Sequence, residues 1–251
     1  MGFSISVYLH NLTSPYLLQG VSVTAWLTIA AMAGGILLAL PLALASNSHV
    51  RLVQAPARLY VWLFRGTPLL VQLVAWYTGL PQVGVRLPAI VAAVVGLALN
   101  EAAYMAEILR ASLISVDRGQ VDAARALGMH PWLVLRRIVF PQTIRIALPP
   151  TGNEVIGMLK NTSLVSTIAV GELFLKTENV ISSTFMTLEL LAVASTYYLA
   201  MTTIVSAIQL LAERRSRQHL RISGKSGAVR SLKGAPPGPL NALAIPTREH
   251  T

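Results

Sequence analysis

Apolar residues run through five long windows of this chain, and polar residues gather between them. The windows are Tyr16–Ala45, Leu59–Leu80, Leu87–Leu109, Ile146–Val170 and Phe185–Ala212. A hydrocarbon core is crossed by about 20 residues of helix, so each window is long enough to be a span. The pattern predicts an all-α, polytopic membrane protein with five transmembrane helices over residues 16–212. Residues 1–15 precede the first span, a loop over 110–145 joins the third and fourth, and residues 213–251 form a basic tail. Within that tail, Ser223–Thr251 holds Gly224, Gly227, Gly234 and Gly238 with Pro236, Pro237, Pro239 and Pro246, a composition that predicts disorder. No Lys or Arg precedes Arg51, so the first window lacks the positive region of a signal peptide, and it is also too long for one. It is expected to be a permanent helix.

Composition agrees with this reading and excludes an average soluble globule. Of 251 residues, 54% are apolar and 12% charged, against roughly 25% charged in soluble domains. Without cysteine the chain has no disulfide framework, thiolate zinc site or CxxC redox pair. A net charge of +10 would suit nucleic acid, but the positions of the cations account for it differently. Sixteen of the 20 lie in loop 46–58, in loop 110–145 or after Ala212, whereas Arg86 and Lys176 lie on the opposite side and Arg65 and Lys160 fall inside spans. Cations are retained on the cytoplasmic side, which puts the N-terminus outside and the C-terminus in the cytoplasm. The basic residues then serve as topology determinants and contacts to anionic lipid headgroups, and no nucleic-acid partner is expected.

Punctuation inside the spans marks further chemistry. Gly34-Gly35 and Pro41 allow close helix approach and a kink in the first span. In the second, Thr67 can N-cap a restarted helix with Pro68 at its first position, leaving Arg65 on the cytoplasmic side. That arginine either snorkels to the interface or contacts an anionic group in a pathway. Ionisable residues in a bilayer cost several kcal/mol unless paired or hydrated. Here they are Glu101, Glu107, Glu154, Lys160 and Glu189, with Glu107 and Glu189 near span ends. Lys160 falls near the midplane of the fourth span and is followed by Asn161, Thr162 and Ser163. It lines a solute path, forms a buried pair with an acid such as Glu101, or does both. Candidate pathway residues are therefore Arg65, Thr67, Gln72, Glu101, Glu154, Lys160, Asn161 and Ser163.

The loop over 110–145 is too long and too patterned for a simple connector. Gly119–Leu127 predicts a short helix with Val121, Ala124 and Leu127 on one face, closed by Gly128 as its C′ residue. Pro131 suits the first turn of a second amphipathic helix, which carries Trp132, Leu135 and Ile138/Val139 on one side with Arg136 and Arg137 beside them, and which stops before Pro141. The pair predicts either a compact docking knob or a helix lying on the leaflet.

These residues resemble a family. Asp122-Ala123-Ala124, three residues, Gly128, nine residues, Ile138, one residue and Phe140-Pro141 are similar to the EAA loop of binding-protein-dependent ATP-binding-cassette importers, EAA-x3-G-x9-I-x-L-P. Asp122 and Phe140 are the two departures. Arg65-Gly66-Thr67-Pro68, Ala124–Gly128, Leu148-Pro149-Pro150 and Lys160–Leu164 resemble the polar amino acid uptake branch. The resemblance, over about Tyr16 to Ala212, implies a type I importer core and the role of permease subunit. It implies a second permease subunit, identical or paralogous, an extracytoplasmic solute-binding protein, an amino acid substrate and an ATPase subunit. The ATPase would seat the loop Gly119–Pro141. Gly128 would set its bend; Asp122, Arg125, Arg136 and Arg137 would give charged contacts, and Leu127, Trp132 and Leu135 apolar ones.

The chain carries no ATPase site of its own, because its one Gly-Lys pair, Gly224-Lys225, has His219 where a P-loop needs glycine. ATP is then a ligand of the partner, and no cofactor, metal site or catalytic group is expected in this chain, whose five histidines all lie outside the spans. An alternative is a secondary transporter driven by an ion gradient, with Glu101, Glu154 and Lys160 as a relay. It has no need of the cytoplasmic knob.

Overall fold

The computed structural model describes residues 3–224, and side chains from 216 onward are outside the description. Among the described residues there is no strand; the chain is helical. A short helix α1 (Ile5–Leu12) leads into α2 (Pro15–Ser46), followed by α3 (Arg51–Gly66), α4 (Leu69–Val74) and α5 (Ala89–Ile114). Two short helices come next, α6 (Arg118–Ala126) and α7 (Pro131–Val134), and then α8 (Phe140–Asn161), α9 (Leu173–Thr184) and α10 (Thr187–Gly224).

The parallel pair α2 and α5 forms the centre of the core, with Leu27, Ala31, Leu97 and Met105 buried between it and its neighbours. Small residues let the two backbones meet. A Cβ on Gly35 would sit 2.7 Å from Glu101 Cβ, and one on Gly34 3.0 Å from Ala98 Cβ, which is the close approach expected of the glycine pair. α2 runs unbroken through Pro41. At its other end it takes α9 just as closely: a Cβ on Gly20 would lie 2.8 Å from the Leu173 Cα.

Among the described residues, three helices are long and apolar enough to cross a membrane, Pro15–Ser46, Ala89–Ile114 and Thr187–Arg215. The second predicted span is not one rod. Arg51–Gly66 and Leu69–Val83 are bent by 106° at Gly66–Pro68 and together make a fourth candidate. The fourth predicted window also differs: its helix starts earlier, at Phe140, contains Pro149 and Pro150, and gives way after Asn161 to a 3-10 turn over Thr162–Ile168. The segment between the last two windows is helix α9. At the C-terminal end, helix replaces the expected tail as far as Gly224, and the disorder expected beyond lies outside the described residues.

Prolines explain the other departures. Pro68 forces its predecessor into extended backbone, so Thr67 ends α3 at φ −115°, ψ 146° and does not cap α4. Its hydroxyl donates back to the Leu63 carbonyl at 2.9 Å, and Pro68 itself takes the N-cap position. The second helix of the 110–145 loop does not stop before Pro141. It widens into a π-helical turn over Leu135–Val139 and continues as α8. A proline collides with the carbonyl four residues back, and a wider turn moves that carbonyl aside. The same device recurs at Ala75–Gly79, two residues before Pro81.

Because the neighbour of Gly20 is backbone, it cannot yield to a side chain. Gly20→Val is expected to destabilise the fold by about 1–3 kcal/mol and to lower the thermal midpoint and folded yield in detergent. Gly157→Ala, where an added Cβ meets nothing within 4 Å, is expected to leave both unchanged.

Candidate functional site

Most of the candidate residues fall in two places, the short-helix knob over 117–141 and a cavity beside the break in α3–α4. The knob is built by caps. Asp117 Oδ1 accepts the Gly119 N–H at 2.8 Å and starts α6; the sequence signal, an Asp just before the helix, was available. At the other end Gly128 takes φ +74°, its N–H bonding to the Arg125 carbonyl at 2.9 Å and that of Met129 to the Ala124 carbonyl at 3.1 Å. That pair of bonds is a Schellman closure, which favours glycine at the left-handed position. His130 Nδ1 then accepts the Trp132 N–H at 3.3 Å and starts α7. Gln142 Nε2 donates to Gln120 Oε1 at 2.7 Å and ties α6 back to α8.

Burial divides the residues predicted for this loop. Ala124 is buried, and Leu135, Ile138 and Pro141 are half-buried. Gly119, Asp122, Ala123, Arg125, Gly128, Arg136 and Arg137 are exposed. Leu127 does not share the inward face of Ala124, contrary to the helical spacing. It is the C-cap, its backbone has left the helix, and its side chain is 83% exposed. Trp132, across the Gly128 turn, is 64% exposed. Asp122 and Arg125 form an ion pair at 4.0 Å between exposed side chains, a contact worth about 0–1 kcal/mol. The knob is therefore shaped by its caps and by the Gln142–Gln120 bond, and presents Leu127, Trp132 and four arginine or aspartate side chains outward.

The second place is a cavity of about 470 Å³ lined by Arg65, Thr67, Glu101, Tyr104, Glu154 and Asn161, among others. It exists because the chain turns at Gly66–Pro68. Breaking a helix orphans carbonyls, and buried amides take them up. Gln72 Nε2 donates to the Phe64 carbonyl at 2.9 Å and to Thr67 Oγ1 at 2.8 Å. Asn100 Nδ2 reaches the same Phe64 carbonyl at 3.2 Å and Gln72 Oε1 at 3.0 Å. Gln72 is thus a brace for the break, and Asn100, a polar residue in an apolar run directly before Glu101, is its counterpart that the sequence reading passed over. Arg65 stacks over Tyr104 at 5.5 Å. Glu101 is 2% exposed, and its Oε1 has no hydrogen-bond partner.

The eight candidate pathway residues separate into two groups. Arg65, Thr67, Glu101, Glu154 and Asn161 share this cavity, braced by Gln72, whereas Lys160 and Ser163 line another of about 480 Å³ with Phe174, Tyr198 and Thr202. The expected Lys160–Glu101 pair does not form: Lys160 is exposed at the end of α8 and turns to α10 rather than to α5. Glu107 pairs with Arg110, three residues on, by two hydrogen bonds of 2.9 and 2.5 Å. Glu189, in the first turn of α10, is buried and accepts the N–H of Ser4, the residue just ahead of α1, at 2.9 Å.

Known proteins resemble this architecture over nearly its whole length. The chain is 41% identical over 203 residues to the probable amino-acid permease protein YxeN of Bacillus subtilis strain 168, covering 80% of this chain and 91% of that one. It is 42% identical over 218 residues to the nopaline transport system permease protein NocM of Agrobacterium fabrum strain C58, covering 82% and 90%. Among solved structures, one described as an amino acid ABC transporter with histidines superposes with a TM-score of 0.81 at 38% identity, over 86% of this chain and all of the other. Inward-facing MetNI, a methionine ABC transporter, shares the fold at a TM-score of 0.66 and 17% identity, over 80% and 95%. Residues 13–218 match the model of the binding-protein-dependent transport system inner membrane components, and the chain belongs to that family.

Proposed function

We propose that this chain is the membrane-spanning permease subunit of an ATP-driven amino acid importer in a bacterial inner membrane. The observation that carries the reading is the knob: a capped, two-helix projection with Leu127 and Trp132 exposed on either side of the Gly128 turn. Large apolar side chains held in water by a stiff turn favour a protein partner, and aromatic and arginine side chains supply the energy at such interfaces. The partner is a separate ATPase subunit. Relatives named for amino-acid, nopaline and glutamine transport support the substrate class.

Five crossings follow if α2, the bent α3–α4 pair, α5, α8 with its 3-10 extension, and α10 each cross once. The cation bias then puts the N-terminus outside and the knob in the cytoplasm. A second permease subunit, identical or paralogous, completes the pathway, and an extracytoplasmic binding protein delivers the solute. The cavity beside the helix break lines the route within this subunit. Glu101 and Glu154 offer acceptors to an ammonium group, and Arg65 offers donors to a carboxylate. ATP binding by the partner biases the bundle between its two facing states by moving the knob. Lys160 and Ser163 face α10 and belong to the route only through their own cavity.

Gly128→Val places a β-branched residue in left-handed backbone, at a cost of about 1–2 kcal/mol. The expected result in membrane vesicles is normal insertion with ATP-driven amino acid uptake reduced on the order of tenfold. Normal uptake by the variant would contradict the role of the knob. Uptake that continued after ATP depletion and stopped with a protonophore would contradict the energy source. Glu101→Gln keeps the shape of the side chain and removes its charge. It is expected to leave folded yield unchanged while uptake falls or selectivity shifts; loss of yield with uptake per folded molecule preserved would make Glu101 structural.

A further inference from the structure

A third cavity, of about 550 Å³, lies where the end of α2 and the face of α3 meet the last turns of α5, and its charge is not balanced. Arg58, Arg65 and Arg110 line it against one acid, Glu107. Glu107 is already engaged by Arg110 through both of its oxygens. Arg58 uses only its Nε, which donates to the Ser46 carbonyl at 3.3 Å, and Arg65 lies on the Tyr104 ring. Two guanidinium groups thus bring spare donors to one cavity. Ser46 lines it as well, is 4% exposed, and has a hydroxyl with no partner. Buried hydroxyls are normally satisfied, so an exception marks a place where a further group belongs.

We infer that this cavity binds the phosphate of an anionic phospholipid of the cytoplasmic leaflet. A phosphodiester supplies the missing charge and the several acceptor oxygens that guanidinium groups take in bidentate fashion. The lipid, rather than a free anion, is favoured by what adjoins the cationic face. Trp62 lines the cavity and is 70% exposed, and Leu59 and Leu63 beside it on α3 are 61% and 47% exposed, an apolar track for an acyl chain. Arg51, Arg58 and Arg65 recur at seven-residue spacing on that helix, as in helices that rest on anionic membranes. The inference rests on the topology proposed above, which puts this end of α5 on the cytoplasmic side.

The test uses the full chain with whatever subunits accompany it from the membrane, gently delipidated and titrated with phosphatidylglycerol, phosphatidylcholine or inorganic phosphate. Native mass spectrometry counts retained lipid. Wild-type protein and Arg51→Gln are expected to retain phosphatidylglycerol in preference to phosphatidylcholine. Arg58→Gln is expected to lose that preference by about tenfold or more, the usual weight of one charge-assisted hydrogen bond. Arg58→Lys keeps the charge, checks for misfolding, and is expected to restore part of it. Equal losses in Arg51→Gln and Arg58→Gln would overturn the site in favour of diffuse attraction. Displacement of the lipid by millimolar phosphate would overturn the lipid as its occupant. ATP-driven uptake, measured on the same samples, reports the permease role separately, so failure of either reading is seen by itself.

Discussion

The carbonyl of Phe64 is the point on which the site depends. Pro68 ends a helix in the middle of an apolar stretch, and a backbone acceptor left unpaired at such a place costs several kcal/mol. Two amides from different elements answer it, Gln72 one turn beyond the break and Asn100 on α5, and they also bond to each other. The bend of 106° is therefore a satisfied structure rather than a loose joint. Because the bend is fixed, Arg65 is held beside Tyr104 and opposite Glu101 and Glu154, and a polar cavity opens within an otherwise apolar bundle.

The rest of the bundle is organised to keep such groups in place. Glycines at 20 and 35 bring α9 and α5 against α2 at backbone distance, which fixes the register of the helices on either side. Glu172, fully buried, caps α9 by accepting the Phe174 and Leu175 N–H groups at 2.8 Å each. It also accepts the Tyr198 hydroxyl at 2.9 Å and the Thr24 hydroxyl at 3.4 Å. One carboxylate thereby joins α2, α9 and α10. π-helical turns ahead of Pro81 and Pro141 preserve helix continuity where a proline would otherwise stop it, so the knob is an extension of α8 rather than a hanging loop. Trp132 therefore stands on the same continuous helical path as Glu154, which borders the cavity.

Much of this was legible in the sequence, where period and end-signals are strong. Helix α2 begins and ends within a residue of its apolar window, α5 and α10 begin within two residues of theirs and run on past them, and Gly128 closes α6 as its position announced. Local spacing was less informative wherever a contact distant in sequence decided the result. Thr67 has the chemistry of a cap, but the conformation that Pro68 imposes on it outweighs that chemistry. Pro141 looks like a stop signal because the wider turn that accommodates it leaves no compositional trace. Lys160 and Glu101 are plausible partners by depth alone; the rotation of α8 about its axis, set by packing, turns one away from the other. Glu172 and Asn100 gave only the weak signal of single polar residues, and their importance lies in partners up to 148 residues away.

The account's central claim is that the capped knob is the seat of a separate ATPase. Its most direct measurement is extraction of the tagged chain from its native membrane in mild detergent, followed by identification and counting of what accompanies it. The account predicts a P-loop ATPase in roughly equal number to the permease subunits. A chain recovered without any ATPase, from an extraction that retains other membrane complexes intact, would contradict it and leave the knob as a helix pair on the lipid surface.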